Sequence, residues 1–204
     1  RAEPAIGPRA SPNDEFQDKT TAPNQMWQTD FTYLKVIGWG WFHLSTILDD
    51  HSRDIVGWKL CGNMRAEDVT DTLDIALTTS GCSSAKVLHK PRLLGDNGSS
   101  CIAEDLAKYL EDKGMKHVRG APMHPQTQGK IERWHQTLKN CILLENHFLE
   151  GELEAAIAAF IDHYNNHRYH QSIGSLTPAD ACFGRGETIL AERRRIKHQT
   201  IQNR

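Results

Sequence analysis

Hydrophobic and polar positions in the first part of the chain follow the pattern of β-strands. Aromatic and β-branched residues fill residues 27–34, a second apolar run covers 41–48, and a third covers 55–60. A glycine-rich turn separates the first two runs, and turn residues at 49–52 separate the second from the third. Because short runs of this composition between turn residues are typical of strands, the pattern predicts an antiparallel meander of three strands.

After residue 65 the period changes to that of helices, because apolar side chains recur every three or four residues. Helices are predicted at residues 66–79, 100–113, about 128–147 and 153–164, with a short one beginning at Thr177 and Pro178. Short apolar runs at 91–95 and 115–119 predict two further strands. Strands that alternate with helices pair in parallel. The predicted fold class is therefore α/β, with a mixed five-stranded sheet flanked by helices on both faces.

The chain divides into three regions. Residues 1–25 contain four of the eight prolines and little periodicity, which predicts an extended N-terminal arm or linker. Residues 26–185 hold the predicted elements and form the core, and residues 186–204 form a basic C-terminal tail. A length of 204 residues suits one domain with such appendages. The chain begins with arginine rather than methionine, and we interpret it as a fragment of a longer protein.

Neither a membrane span nor a disulfide framework is predicted. The longest apolar stretch, residues 36–48, is interrupted by polar residues and is too short to cross a bilayer. The five cysteines stand apart, without a CxxC pair. That spacing argues against a zinc ribbon and is typical of a reducing compartment. We therefore expect a cytoplasmic protein with no membrane partner.

The charge balance argues at first against a nucleic acid partner. The chain has 24 Lys and Arg against 26 Asp and Glu, a net charge of −2 with histidine neutral. The cations are nevertheless concentrated in residues 130–139 and 193–197. A near-neutral average therefore does not exclude DNA, although it predicts that this core binds DNA weakly by itself.

Three acids occupy unusual positions. Asp30 lies inside the first predicted strand, Asp96 follows the fourth, and Glu132 lies in the first turns of the long helix. A carboxylate within a strand is costly to bury unless it is paired or binds a metal, and the ends of strands in α/β sheets are where active sites form. Clustered carboxylates suit Mg²⁺ or Mn²⁺. Two such ions would promote an in-line displacement at a phosphodiester.

The helix that carries Glu132 has a polar face. Seven residues make close to two helical turns, so Lys139 lies on the same face as Glu132. His135 and Gln136 lie between them, and Lys130 and Arg133 flank the face. Such groups suit contact with the phosphates and bases of DNA.

Each of the three acids has an ordinary structural explanation when it is taken alone, as a strand edge, a turn or a solvated helix face. Asp49 and Asp50 are rival candidates for a catalytic pair, although a hairpin turn accounts for them. His163 and His167 have a spacing that could bind zinc, but no third ligand accompanies them. Only the joint arrangement of the three acids favours a metal site over these readings.

The residues around the three acids resemble a known family. The matching segments are WQTDFTY at 27–33, LGDNGS at 94–99, HPQTQGKIER at 124–133 and YNNHRYH at 164–170. Asp96 and Glu132 are separated by 35 residues, 97–131, which is the family's spacing. Together the segments resemble the catalytic core of insertion-sequence transposases of the retroviral-integrase type, which carry a DDE triad. The likeness covers roughly residues 14–185.

The resemblance implies a ribonuclease-H-like fold in which Asp30, Asp96 and Glu132 are catalytic and bind two Mg²⁺ or Mn²⁺ ions. It implies that water cleaves a phosphodiester at the element's end and that a DNA 3′-hydroxyl then attacks another. The expected partners are the element's terminal repeats and target DNA, in a bacterial, nucleoid-associated setting. Because two DNA ends must be held, we expect a homo-oligomer when the protein is active. The expected DNA contacts are Lys139, Arg133, Lys130, Gln136 and Asn97.

Two other functions stay open at this point. One is a hydrolytic nuclease of ribonuclease H type, which needs the same cluster of acids. The other is a catalytically inactive DNA-binding module. Gly95 replaces the serine that often precedes the second acid of the family, and neither a helix-turn-helix nor a zinc-binding module precedes the core. Recognition of the terminal repeats is therefore expected outside this chain.

Overall fold

One sheet of five strands forms the centre of the protein. The computed structural model describes residues 20–84, 89–95, 100–119 and 129–203. The strands are Met26–Val36 (β1), Gly40–Asp49 (β2), Ile55–Cys61 (β3), Arg92–Gly95 (β4) and His117–Arg119 (β5). Their order is β3-β2-β1-β4-β5, in which β1 to β3 pair antiparallel, whereas β4 pairs in parallel with both β1 and β5. The predicted mixed sheet is confirmed.

Six α-helices follow or connect these strands within the described residues. They are Ala66–Thr79 (α1), Ser100–Asp112 (α2), Gly129–Ile142 (α3), Glu150–Asn166 (α4), Pro178–Cys182 (α5) and Gly186–Gln202 (α6). Thr177 caps α5, since its side chain accepts a hydrogen bond from the backbone N–H of Asp180 at 3.1 Å. None of the helices in the described ranges has the length and apolar character that crossing a membrane would need.

Three helices differ from the prediction, and one of them is α4, which spans Glu150–Asn166 where a helix over 153–164 was predicted. The helix predicted to reach residue 147 ends at Ile142. There the backbone N–H of Glu145 donates to the Ile142 carbonyl at 3.4 Å, and Nε2 of His147 lies 3.1 Å from the same oxygen. Residues 186–202, predicted only as part of a basic tail, form α6. Only Gly186 of α6 is buried, so the segment has no apolar stripe by which periodicity could reveal a helix.

The sheet separates two apolar cores, and β1 contributes to both. Trp27 packs on one side with residues of α1 and α2, whereas Leu34 packs on the other with residues of α3 and α4. Helices therefore cover both faces, as predicted. Side chains alternate along a strand, so Asp30 shares the face of Leu34 and points toward α3. This alternation positions the candidate site between β1 and α3.

Candidate active site

Asp30 presents its carboxylate at the edge of the contact between β1 and α3. Its Oδ1 accepts a hydrogen bond from the backbone N–H of Phe31 at 2.8 Å, and its Oδ2 lies 3.5 Å from Nδ1 of His135. About 31% of the side chain is exposed. The carboxylate is thus held in place but stays accessible to an ion.

Glu132 lies on α3 next to this strand. Gln28, on the same face of β1 as Asp30, accepts a hydrogen bond from the backbone N–H of Ile131 at 3.2 Å. This contact fixes the first turn of α3 against the sheet. Glu132 is exposed and has no hydrogen bond or ion pair with the part of the chain that the structure describes. Its carboxylate therefore lies one turn before His135, the residue that approaches Asp30, with both oxygens free.

The third predicted acid, Asp96, lies outside the described residues, as does Asn97. The strand before it ends beside Asp30, because Gln28 pairs with Leu94 in the parallel register of β1 and β4. A side-chain carbon added at Gly95 would lie only 3.3 Å from Cγ2 of Thr29. Strand β4 therefore ends at Gly95, which lies against Thr29, the residue before Asp30.

The described carboxylates fit part of a site for a divalent ion. Exposed carboxylate oxygens without cationic partners are the hard ligands that Mg²⁺ prefers. Within residues 20–84, 89–95, 100–119 and 129–203, no group of three or more His, Cys, Asp or Glu side chains could hold a metal. A metal site built on Asp30 and Glu132 would need a third donor, and Asp96 is the residue predicted for that role. His163 and His167, whose ring centres are 5.8 Å apart, likewise have no third metal ligand among the described residues.

Asp50 and Lys130 form an internal contact that joins the β2–β3 turn to the start of α3. Nζ of Lys130 lies 2.7 Å from Oδ1 of Asp50 and donates to its backbone carbonyl at 2.8 Å. Gln28 and Thr20 also donate to the same carboxylate, at 2.8 and 2.7 Å. Burial alone would raise the pKa of Asp50, but the hydrogen bonds from Lys130 and Thr20 outweigh it and hold the pKa below its ordinary value. Asp50 is therefore an ionised anchor for α3.

This network was not predicted from the sequence. Its only signal was a second polar residue, Gln28, on the face of β1 that carries Asp30. The partner of Gln28 is distant in sequence, so no local pattern announces it. Lys130 was predicted to contact DNA, and that role stays a prediction. In the structure its ammonium group is paired with the carboxylate of Asp50.

Asp49 fulfils the structural role expected of a hairpin turn. Its Oδ1 accepts hydrogen bonds from the backbone N–H and the hydroxyl of Ser52, each at 2.7 Å, and its Oδ2 accepts from the backbone N–H of Asn24 at 2.7 Å. The side chain is buried and fully engaged. The structural explanation of Asp49 is confirmed.

The remaining predicted DNA contacts lie along α3. Arg133 and Gln136 are exposed, and Lys139 is half-buried. Gln136 donates to Oδ1 of Asn140 at 2.8 Å, so its amide is partly committed to the helix surface. Their contacts with DNA stay predictions.

His135 was placed on the polar face of this helix from the sequence, but no site role was predicted for it. The ring is buried and tilted by 57° against the Trp134 ring, with 5.0 Å between ring centres, and its Nε2 has no hydrogen-bond partner among the described residues. Its other nitrogen approaches Asp30. The spacing of three residues from Glu132 places it on the inner side of the same helical surface.

Asp54 makes the stability of the β2–β3 turn depend on pH. Burial, together with the negative charge of Asp49, raises the pKa of Asp54 from 3.8 to about 6. The folded protein therefore binds this proton more tightly than the unfolded chain, and stability falls as pH rises from about 4 to about 6. Between pH 4 and pH 7, Asp54→Asn should gain about 2 kcal/mol relative to the parent protein. Urea unfolding of both proteins measures this, and a difference that stays constant with pH would contradict it.

Comparisons of sequence give two kinds of relative. A family model described as Integrase core domain matches residues 20–125, and a second with the same description matches residues 113–178. The chain is 27% identical over 160 residues to the transposase InsF for insertion sequence IS3A of Escherichia coli (strain K12), which covers 78% of this chain and 54% of that protein. It is also 27% identical over 164 residues to the transposase for insertion sequence element IS904 of Lactococcus lactis subsp. lactis (strain IL1403), covering 79% of this chain and 62% of that protein. The chain thus spans little more than half the length of these curated relatives.

Comparisons of structure agree on the fold. The catalytic core domain of HTLV-2 integrase, solved in complex with magnesium, superposes with a TM-score of 0.62 at 19% identity, covering 80% of this chain and 99% of that one. The catalytic core domain of BIV integrase gives a TM-score of 0.57 at 22% identity, covering 82% and 99%. These likenesses confirm the ribonuclease-H-like fold.

Proposed function

The chain belongs to the integrase core domain family, among insertion-sequence transposases of the retroviral-integrase type, and from this premise we propose that it cuts and joins DNA. The proposal is that it cleaves phosphodiester bonds at the ends of a mobile element and transfers the resulting 3′-hydroxyls to target DNA. The observation that carries it is the contact of β1 with α3, in which Asp30 and Glu132 leave their carboxylates accessible beside the end of β4.

Asp30, Asp96 and Glu132 would hold two Mg²⁺ or Mn²⁺ ions. When bound, such ions activate an attacking oxygen and stabilise the leaving oxygen of an in-line displacement. The chain's own contribution is positioning. Gln28 fixes the first turn of α3, and His135 orients Asp30 from behind.

Both proposed reactions are displacements at phosphorus. In cleavage, the oxygen of water forms a bond to phosphorus, and the 3′-oxygen of the element strand leaves as a hydroxyl. In joining, that 3′-hydroxyl oxygen bonds to a phosphorus of target DNA, and the target's own 3′-oxygen leaves. Joining exchanges one phosphodiester for another, so it needs no energy-rich co-reactant.

DNA is the proposed partner, as element ends and as target. Lys139, Arg133 and Gln136 lie along α3, beyond Glu132, where a strand entering the site would pass. Asn97 and Lys130 complete the proposed contacts. Two ends must be held together, so we propose a homo-oligomer when the protein is active. The bacterial origin of the transposases it resembles supports a cytoplasmic location with the nucleoid.

A joining assay tests the proposal. The protein is incubated with Mg²⁺, a labelled duplex that already ends in a 3′-hydroxyl at the terminal repeat, and a supercoiled target plasmid. A transposase converts label into a covalent adduct with the plasmid. Cut DNA without adduct would instead support a nuclease of ribonuclease H type, and binding without either product would support an inactive DNA-binding module.

A further inference from the structure

Three arginines from separate parts of the chain gather around Tyr164. The guanidinium carbon of Arg168 lies 5.8 Å from the centre of the Tyr164 ring. Arg53, in the turn between β2 and β3, and Arg133, next to Glu132 on α3, both act electrostatically on the Tyr164 hydroxyl. Tyr164 itself is buried. The guanidinium of Arg168 lies over this ring, and the charges of the other two act on its hydroxyl; we call the three the arginine cluster: Arg53, Arg133 and Arg168.

The arginine cluster has no anionic partner in direct contact. Within the described residues, no Asp or Glu forms an ion pair with Arg53, Arg133 or Arg168, whereas Lys59, Lys113 and Lys130 each have one. Nε of Arg53 is buried and has no hydrogen-bond partner among the described residues. Buried donors are nearly always satisfied in native proteins, so this one suggests a ligand.

Groups of both charge signs act on the cluster. Burial lowers the pKa of Arg53, and the charge of Arg133 lowers it further, while Asp50 acts in the opposite direction. Burial, then the charges of Arg168 and Arg53, lower the pKa of His170 to about 4, so its ring is neutral near pH 7. Asp54, the acid that acts on Tyr164, has a raised pKa and makes no ion pair with the cluster.

The backbone holds two of the arginines at fixed positions. Arg53 adopts a left-handed conformation, with φ at 69°, and its N–H donates to the carbonyl of Asp49 at 2.9 Å. Two residues later, the backbone N–H and carbonyl of Ile55 both bond the side chain of Asn165, at 3.0 and 3.1 Å. Asn165 precedes Arg168 by three residues, so the β2–β3 turn and the end of α4 are tied together. A strained backbone kept by such contacts is typical of functional positions.

Arg53 also faces open space. It lines a cavity of about 630 Å³ between the β2–β3 turn and the segment that carries α5 and α6. Lys130 lines the same cavity but is paired with Asp50. Among the described residues that line this cavity, Arg53 is the arginine without an ion pair, and the carboxylate of Glu187 lines the cavity as well.

We infer that the arginine cluster binds a backbone phosphate of the DNA strand that enters the active site. The inference rests on the proposed function, because DNA is the polyanion that function brings to Glu132, the neighbour of Arg133. Guanidinium groups match the oxygens of a phosphate in paired hydrogen bonds. The site also gives a role to the YNNHRYH segment: Tyr164 supplies the ring over which Arg168 lies, Asn165 the tie to the sheet, and Arg168 a ligand.

The salt dependence of DNA binding tests this inference without any catalysis. Binding of a fluorescein-labelled duplex is measured by anisotropy in EDTA over a range of KCl concentrations. Each phosphate contact contributes about 0.9 to the slope of log K against log salt. Arg168→Gln should make the negative slope less steep. The double variant Arg53→Gln/Arg168→Gln should reduce its magnitude by about one unit. Arg168→Lys keeps the charge and should retain most of the slope.

Matched controls separate this effect from general loss of charge or of folding. Lys108→Gln removes an exposed cation from α2, on the other side of the sheet, and should leave the slope unchanged. Circular dichroism shows whether each variant is folded. If Arg53→Gln unfolds, Arg168→Gln alone still tests the inference, because Arg168 is exposed and its substitution should not disturb folding. A slope that is unchanged in Arg168→Gln, or no binding by the parent protein, overturns the inference. If the parent protein cuts DNA but never joins it, the joining proposal fails. The salt dependence of DNA binding still shows whether the arginine cluster binds a phosphate.

Discussion

Glu132→Gln is expected to lower the rate of DNA joining by about 10³-fold or more. The change removes one negative charge from the proposed ion-binding set and keeps the shape of the side chain. Loss of a divalent-ion ligand costs several kcal/mol of transition-state stabilisation, and about 4 kcal/mol corresponds to that factor. Because Glu132 is exposed and without a partner in the described residues, the free energy of unfolding should change by less than about 0.5 kcal/mol.

The control for this prediction is Glu145→Gln. Glu145 is also exposed and lies just beyond the end of α3, so its variant removes the same charge away from the site. Joining is measured with the pre-cut duplex under Mg²⁺ for both variants and the parent. Near-parental joining by Glu132→Gln, or an equal loss in Glu145→Gln, would remove Glu132 from the catalytic set.

Trp134→Ala is expected to destabilise the protein by about 3–5 kcal/mol. Trp134 is 1% exposed and packs with Leu138 and Tyr164 in the core between α3, α4 and the sheet. The substitution leaves a cavity beneath the helix that carries Glu132. A loss of this size is a large fraction of the 5–15 kcal/mol that typically stabilises a domain.

Two further variants make the test specific. Trp39 is 70% exposed in the turn after β1, and Trp39→Ala should change stability by less than about 0.5 kcal/mol. Nε1 of Trp134 has no hydrogen-bond partner in the part of the chain that the structure describes, so Trp134→Phe loses little polar interaction and should cost far less than Trp134→Ala. Urea unfolding measures all three, and equal losses for Trp134→Ala and Trp39→Ala would contradict the packing described for α3.

Local pattern was enough to predict the architecture because each buried element has its own period. Apolar alternation marked β1 to β3, and an apolar stripe through Ile131, Trp134 and Leu138 marked α3. These three residues are buried, and so is His135, which the stripe did not include. The α6 helix escaped prediction for the opposite reason. It buries almost nothing, so its helical conformation leaves no periodic trace in hydrophobicity.

Within the candidate site, only residues that belong to a recognisable sequence motif could be predicted. Asp30 and Glu132 were selected from their positions and from the family spacing, and they lie on facing elements, although their catalytic roles stay predictions. The contacts of His135 and the Gln28–Asp50–Lys130 network were missed, since they join residues 22 to 105 positions apart in sequence. The arginine cluster as a group was also missed, although Arg133 was named as a DNA contact, because its members lie in a turn, a helix and a helix end that only the fold brings together.

The average charge conceals how the charges are used. Several of the 26 acids form contacts within the protein. Asp49 accepts a hydrogen bond from the backbone of Ser52, and Asp50 forms an ion pair with Lys130 of α3. Arg53, Arg133 and Arg168 have no such partners in the described residues. A net charge of −2 is therefore compatible with a local surface that attracts DNA.

The most direct test of the central claim is a crystal soaked in MnCl₂ and measured for anomalous scattering. If Asp30, Asp96 and Glu132 form one ion-binding set, anomalous density will lie within bonding distance of all three carboxylates and will disappear in Asp96→Asn crystals. Manganese bound elsewhere, or carboxylates too far apart to share an ion at saturating Mn²⁺, would contradict the account.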